Sequence, residues 1–392
     1  MASGPPTKVA IACTGGGTHA AFEIGVLAAI LEEMEVRKGD ENARRIDLIG
    51  LSGTSAGALC ALMVWYGLAR KNGQDGSNAS AIRQLERLMG LFAAETASEK
   101  AFDRLTSLAL KAHEMEAPLL GLVPPKLGLN PASALSRAVF AALPYLGVRT
   151  EYADFRDMLD KLCPEFDDID WDKLDVRLLV GASEVVGGVE TVFDSDLNIP
   201  TRMAEKYDIF LTHRWHKRLP LTLSSVVASG SLPELFPAEE IDERCYWDGL
   251  YSQNPPVREF VASTNPQYVP EELWVLRINP QQCAYVPRSM AEIEDRQNEL
   301  MGNLSLNKEL DLILNLNQYR DSQTKRPVKI RTIKMTRRTA MRLKYSSKFD
   351  RSRAFVGELR DEGHAEAQKW LGQWRENKAG EYPDDAGYPD YP

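Results

Sequence analysis

Cysteine is scarce in this 392-residue chain, and Cys13, Cys60, Cys163, Cys245 and Cys283 are odd in number and widely spaced. They offer neither a zinc spacing nor a disulfide framework, so they read as reduced, mostly buried thiols of a cytosolic protein. Histidine is as rare, with five residues. His213 and His216 invite a metal reading, but no third ligand accompanies them, and a surface loop is expected there. Net positive charge is missing too: the formal charge is −9, which argues against a nucleic-acid binder. The opening MASGPPTKVAIAC has no basic segment followed by a long apolar one, so no secretory signal is visible. No internal repeat is found.

One long stretch lacks charge altogether. Leu48 to Ala69 could cross a bilayer by length, yet its first half holds Ser52, Gly53, Thr54, Ser55 and Gly57. A buried strand–turn–helix accounts for the same lack of charge. Ile46 to Leu51 is β-favouring, the residues up to Ala69 have helical character, and Gly53-Thr54-Ser55-Ala56-Gly57 between them is a G-x-S-x-G. Such a turn holds its serine on a strained backbone above the sheet edge, with small neighbours that let strand and helix approach. The helix N-terminus beyond it favours developing negative charge. Ser55 is the candidate nucleophile.

Composition is that of a globular protein, 44% hydrophobic and 26% charged, long enough for one large or two ordinary domains. Lys8 to Cys13 reads as a buried strand running into Gly15-Gly16-Gly17 and then a helical pattern. Its amides could face an anion, either a phosphate or an oxyanion. The phosphate reading is weak, because the run has neither the G-x-x-x-x-G-K-[ST] nor the G-x-G-x-x-G spacing. Residues about 70–150 form a helical insertion, with helices over Ala81 to Ala117 and Ala132 to Ala142 and a Pro/Gly-rich turn at Pro118 to Pro131. Strands are expected at Asp175 to Gly181, Gly188 to Phe193, Tyr207 to Leu211, Cys245 to Asp248, Glu272 to Asn279 and Val328 to Met335. Helices are expected at Leu221 to Ala228, Met290 to Leu316 and Phe355 to Glu376. The tail 377–392, rich in Pro, Tyr and Asp, reads as disordered.

A serine nucleophile needs a base. Asp248, at a strand end before Gly249, can project a carboxylate and would need no histidine. A Ser–Asp–His order would have to use His364, which sits in a charged helical segment. The ordered blocks Gly15 to Gly17, Gly53 to Gly57, Ala228-Ser229 with Pro233 and Phe236-Pro237, and Asp248-Gly249 with Asn254 and Pro256 resemble the patatin-like phospholipases. The match is clear over residues 8–66 and 220–280, and the last third looks like the C-terminal region of a bacterial patatin subgroup. The resemblance implies a three-layer α/β/α fold with a mostly parallel central sheet. It places a catalytic domain at 1–280 and a strand–helix extension packed on it at 281–376. It also implies a cytoplasmic lipid acyl hydrolase of phospholipase A or lysophospholipase type, with Ser55 as nucleophile and Asp248 as general base. The oxyanion hole falls at Gly15, Gly16, Gly17 and Thr18, with His19 and Ala56 against substrate. No metal or other cofactor is implied.

Two places depart from the family pattern. His19 and Ala20 stand where Arg or Lys followed by Gly is usual, which weakens charge assistance because histidine is mostly neutral at pH 7. Leu250 follows Asp248-Gly249 where a small residue is usual, and narrows the site. Two alternatives stay open: a catalytically silent lipid- or protein-binding relative, and a Ser–Asp–His esterase using His364. Between Lys325 and Arg353 stand twelve Lys/Arg and one acidic residue, Asp350. That stretch is the candidate for peripheral contact with an anionic membrane surface.

Overall fold

The computed structural model describes residues 5–40, 43–113, 133, 138–139, 141–198, 214–233, 235–262, 269–319 and 327–388. A nine-stranded sheet runs through it: β1 Thr7–Cys13, β2 Ile46–Gly53, β3 Arg177–Glu184, β4 Val189–Asp194, β5 His216–Pro220, β6 Glu239–Ile241, β7 Arg244–Asp248, β8 Glu272–Arg277 and β9 Lys329–Lys334. The order is β5-β4-β3-β2-β1-β8-β9, with β7 also pairing β3 and β6 pairing β7. From β3 to β9 the ladder is parallel, and only the β3–β4, β3–β7 and β6–β7 pairs are antiparallel. The parallel strands read as near-continuous apolar runs because both faces are covered.

The α-helices of six or more residues among the described residues are α1 Ala21–Val36, α2 Ala56–Leu68, α3 Asn78–Phe92, α4 Ala97–His113, α5 Phe155–Leu162, α6 Leu223–Ser229, α7 Met290–Tyr319, α8 Arg337–Arg342 and α9 Arg353–Arg375. One face of the sheet packs on α1, α2 and α9 through residues such as Ile11, Leu178, Leu62 and Leu371. The other packs on α7 through Ala10, Leu273, Leu306 and Leu310. The uncharged stretch Leu48 to Ala69 therefore divides into β2 and α2, both buried in the core. Among the described residues no helix is long and apolar enough to cross a membrane. Helix α1 is apolar on nearly every side because it lies between the sheet and α9. There the backbones nearly touch: a Cβ on Gly25 would stand 1.9 Å from the Arg360 carbonyl oxygen, and one on Gly363 2.0 Å from that of Phe22.

Three expectations change. His216 opens β5 instead of lying in a surface loop; it is 1% exposed and sits 3.0 Å from Glu259 and 3.4 Å from Glu190. Burial opposes its charge, but the two carboxylates outweigh that and raise its pKa. The tail is packed as far as residue 388: the Tyr382 N–H donates to the Ile330 carbonyl at 2.9 Å and the Thr332 N–H to Asp385 Oδ2 at 2.7 Å. The reason is that β9 ends the sheet, and its outer backbone groups need partners. The basic stretch is narrowed as a candidate for contact with an anionic surface, because part of it is taken up inside the fold. Arg331 is buried against Glu272, the Lys334 ammonium meets the Asp385 carbonyl in the tail at 2.6 Å, and Arg351 stacks 3.6 Å over Tyr152. Lys348 is buried as well. Lys325, Arg326, His213, the Tyr207 to Leu211 strand, the Pro118 to Pro131 turn and most of 132–142 lie outside the described residues.

Candidate active site

Parallel strands deliver their carboxyl ends to one edge of a sheet, where loops can converge. Here Cys13 of β1 pairs with Gly53 of β2 and Leu276 of β8, so the glycine loop, Ser55 and Asn279 all emerge together. Gly53 pairs with Val180 of β3, and two residues further on Ala182 pairs with Asp248 of β7. The antiparallel β7 thus brings Asp248 to the same edge.

Ser55 has φ 56° and ψ −130°, a left-handed backbone that costs a non-glycine residue about 1–3 kcal/mol. The flanking glycines make the turn fit. A Cβ on Gly53 would stand 2.4 Å from Ala58 Cα, and one on Gly57 2.3 Å from the Cys13 carbonyl oxygen. The Ser55 N–H donates to Ser229 Oγ at 3.0 Å, and Ser229 Oγ donates to the Gly181 carbonyl at 2.6 Å. A hydroxyl on α6 therefore ties the strained residue to β3. Ser55 and Ala56 remain half-buried while Thr54 and Gly57 are buried, which leaves the serine reachable at the first turn of α2.

Asp248 is fully buried. Its Oδ1 accepts the Leu250 N–H at 2.8 Å, and its own N–H donates to the Ser231 carbonyl at 3.0 Å. Thr54, directly before Ser55, lies against Gly249, directly after Asp248: a Cβ there would stand 3.0 Å from Thr54 Cγ2 and 2.5 Å from the Gly181 oxygen. Only glycine permits that approach. Thr54 Oγ1 also donates to the Gln253 carbonyl at 2.8 Å, and Ser52 Oγ donates to the Pro256 carbonyl. These contacts fold the loop after Asp248 over the nucleophile turn.

The glycine loop is clamped from two sides. Thr14 Oγ1 donates to the Leu276 carbonyl at 2.9 Å, and Asn279 Nδ2 donates to the Gly15 carbonyl at 2.9 Å. The Gly15 N–H donates to Asn254 Oδ1 at 2.6 Å. That corrects one expectation, because the Gly15 amide is committed to Asn254 and is not a donor to an oxyanion. The Gly16 and Gly17 amides have no acceptor among the described residues. Gly17 adopts φ 58°, and Thr18 is buried.

His19 is placed differently from its expected substrate contact. It is 3% exposed, its Nε2 lies 2.8 Å from Ser347 Oγ, and its ring meets Phe355 edge-on at 6.3 Å. Burial first, and then nearby Lys348, hold its pKa well below the ordinary value, so it is a neutral packing residue. His364 is not brought to the site. It pairs with Glu32 at 2.8 Å, eleven residues beyond Ala21 or about 16 Å along α1. Asn279 belongs to no motif, and Ser229 and Asn254 are marked in the sequence only as motif letters. An asparagine just past a strand end, as at 279, is the one signal that could have marked such a residue.

These elements define an α/β protein with a strained, reachable serine at a strand-to-helix turn and a buried aspartate at the same sheet edge. The chain belongs to the patatin-like phospholipase family, whose sequence model matches residues 11–261. No curated protein matches it by sequence. Among solved structures, VipD from Legionella pneumophila aligns at 14% identity over 92% of this chain and 67% of its own, with a TM-score of 0.34. The type III effector ExoU aligns at 14% identity over 94% of this chain and 54% of its own, with a TM-score of 0.27. ExoU in complex with SpcU, from the type III secretion system of Pseudomonas aeruginosa, aligns at 14% identity over 93% and 53%, with a TM-score of 0.30. The chain spans about half the length of ExoU. At such scores the family match alone carries the assignment.

Proposed function

We propose that the chain hydrolyses carboxylic esters of phospholipids or related lipids through an acyl-serine intermediate on Ser55. The observation that carries this is the strained, half-buried Ser55 at the N-terminus of α2, an arrangement that costs free energy. In this reading Asp248 accepts the Ser55 proton as Oγ attacks the ester carbonyl, and the Gly16, Gly17 and Ala56 amides bind the tetrahedral oxyanion. Each such donor contributes about 3 kcal/mol in other serine hydrolases. The proton then passes to the departing alcohol. Water, deprotonated by Asp248, attacks the acyl-serine, and the proton passes from Asp248 to Ser55 Oγ as the fatty acid leaves. The His364 triad finds no support in the geometry.

Fatty-acid release from mixed phospholipid micelles by the wild type, Ser55→Ala and Asp248→Asn tests the reading. Release is expected to vanish in the first variant and to fall about 10²- to 10⁴-fold in the second, the usual contribution of a general base. Equal release from Ser55→Ala overturns it. No release from a folded, fluorophosphonate-unreactive wild type favours the silent, ligand-binding relative instead.

Contact with an anionic membrane surface rests on the exposed cations around α8, Arg338, Arg342, Lys344 and Arg353, beside Met341 at 58% exposure. Binding to vesicles containing phosphatidylserine is expected to weaken as salt rises from 0.1 to 0.5 M, since screening shortens the reach of exposed charges. Binding that ignores salt, or survives reversal of Arg337 and Arg338, excludes this surface.

A further inference from the structure

A lysine is buried against the glycine loop. Lys348, 8% exposed, lies on the short turn Tyr345–Phe349, and its backbone rests on the loop itself. A Cβ on Gly17 would stand 2.5 Å from the Lys348 carbonyl oxygen and 3.2 Å from its Cβ. The neighbouring Ser347 meets His19, so this turn covers the far end of the loop, from Gly17 to His19. The ammonium is answered by amide oxygens, Asn279 Oδ1 at 3.2 Å and Asn298 Oδ1. Asn279 then donates its Nδ2 to the Gly15 carbonyl at 2.9 Å. Among the described residues no carboxylate stands within ion-pair distance of the ammonium.

Burying an ammonium against neutral groups is costly, and packing alone would be served as well by methionine. What the arrangement supplies is a positive charge that no adjacent acid cancels, linked through one asparagine to the loop whose Gly16 and Gly17 amides are uncommitted. In a low-dielectric interior such a charge acts well beyond contact distance. We propose that Lys348 is a positioning residue for acyl transfer. Through Asn279 it fixes the Gly15 peptide so that the next two amides face the reacting carbonyl, and its charge favours the negative charge that develops there. This rests on the reading of Ser55 as nucleophile and of the loop as its oxyanion cradle.

The groups facing Lys348 are His19 from the loop and Asp295 and Glu299 from α7. Burial lowers the Lys348 pKa, and the two α7 carboxylates, acting at longer range, offset only part of that. His19 is neutral across the working range. The charged form of Lys348 is therefore present at low pH and is lost as pH rises through a value below the ordinary 10.5.

The test uses the full chain with a soluble p-nitrophenyl ester, measuring kcat and KM against pH, together with the rate of Ser55 labelling by a fluorophosphonate. Lys348→Met is expected to lower kcat and the labelling rate by about ten- to a hundredfold with KM within about twofold. That is less than the ~10²–10³ lost with a direct oxyanion donor. Lys348→Arg is expected to recover most of kcat and to remove the alkaline fall of the wild type, because guanidinium stays charged. A Lys348→Met kcat within twofold of wild type overturns the proposal. So does an alkaline limb shared by wild type and Lys348→Arg, a comparison that holds even if the methionine variant does not fold. Activity that survives Ser55→Ala would instead strike down the nucleophile reading itself, and is told apart by that control.

Discussion

At position 57 a side chain has no room, since its Cβ would stand 2.3 Å from the Cys13 carbonyl oxygen and 2.7 Å from that of Thr14. Gly57→Ala must push α2 away from β1 and tilt the turn that holds Ser55. Overpacking of this kind costs about 1–3 kcal/mol, so the urea midpoint is expected to fall without a change in slope. Fluorophosphonate labelling of Ser55 is expected to slow at least about tenfold even under conditions where the variant is folded. Unchanged labelling would show that the close approach does not set the serine's position. The same residue explains what was legible in the chain. G-x-S-x-G is readable because a strained turn and its small neighbours are local constraints, written within five residues. The partners of the glycine loop are not local: Asn254 lies 239 positions from Gly15 and Asn279 lies 264. The ordered motifs name Gly15 and Asn254 but not the contact between them, and no motif covers Asn279, so the commitment of the Gly15 amide and the burial of His19 emerge only in three dimensions.

Among the elements, the start of α4 is held by one carboxylate. Glu99 Oε2 accepts the backbone N–H groups of Glu95 at 2.8 Å and Thr96 at 3.1 Å, while Oε1 takes Arg149 Nε at 2.7 Å and the Arg149 N–H at 3.1 Å. The Glu99 side chain is fully covered. Burial pushes its pKa up, but Arg149 and the three N–H donors outweigh this and hold it at about 2, below the ordinary 4.5. A carboxyl held low in the folded state stabilises it above the unfolded value, and that stability is lost as pH falls from about 4.5 to about 2. Helix loss on heating, followed by circular dichroism, is therefore expected earlier at pH 2.5 than at pH 6 in the wild type. Glu99→Gln should melt lower than wild type at pH 6, with the gap narrowing toward pH 2.5; a gap independent of pH would remove this ion pair from the acid response. Element identity was largely readable where apolar period and length agree, as for α2, α7 and α9. The strand β5, HKRLP, escaped because an edge strand with half-exposed polar residues shows neither alternation nor an apolar run. Its place comes from pairing with β4.

For the molecule as a whole, the question is whether residues 281–388 are an appendage or part of one cooperative unit. Glu272, at the start of β8, decides it. It is 1% exposed and accepts Trp274 Nε1 at 2.9 Å, Trp374 Nε1 at 2.8 Å, Arg331 Nε at 3.0 Å and Arg44 Nη2 at 2.6 Å. Those partners come from β8, α9, β9 and the approach to β2, so one carboxylate joins both ends of the chain. Trp274 itself is enclosed edge-on by Trp370 at 4.7 Å and Trp374 at 5.2 Å. Removing the acid takes the nearest counter-charge from buried Arg331, which keeps Glu381 at 3.6 Å, and a partner from the partly exposed Arg44; losing one partner of a buried pair costs about 3–5 kcal/mol. Glu272→Ala is expected to lower the unfolding free energy from urea titration by about that amount, with tryptophan fluorescence and far-ultraviolet circular dichroism reporting a single coincident transition. Two separated transitions, in either protein, would mean that the last third folds on its own. On the same argument a chain ending at residue 280 exposes the whole outer edge of β8 and the faces of α1 and Trp274 that α9 covers, and is expected to aggregate rather than to label at Ser55. Lys348 belongs to this C-terminal third and rests on Gly17, 331 positions before it, so the same argument ties the glycine loop to the end of the chain.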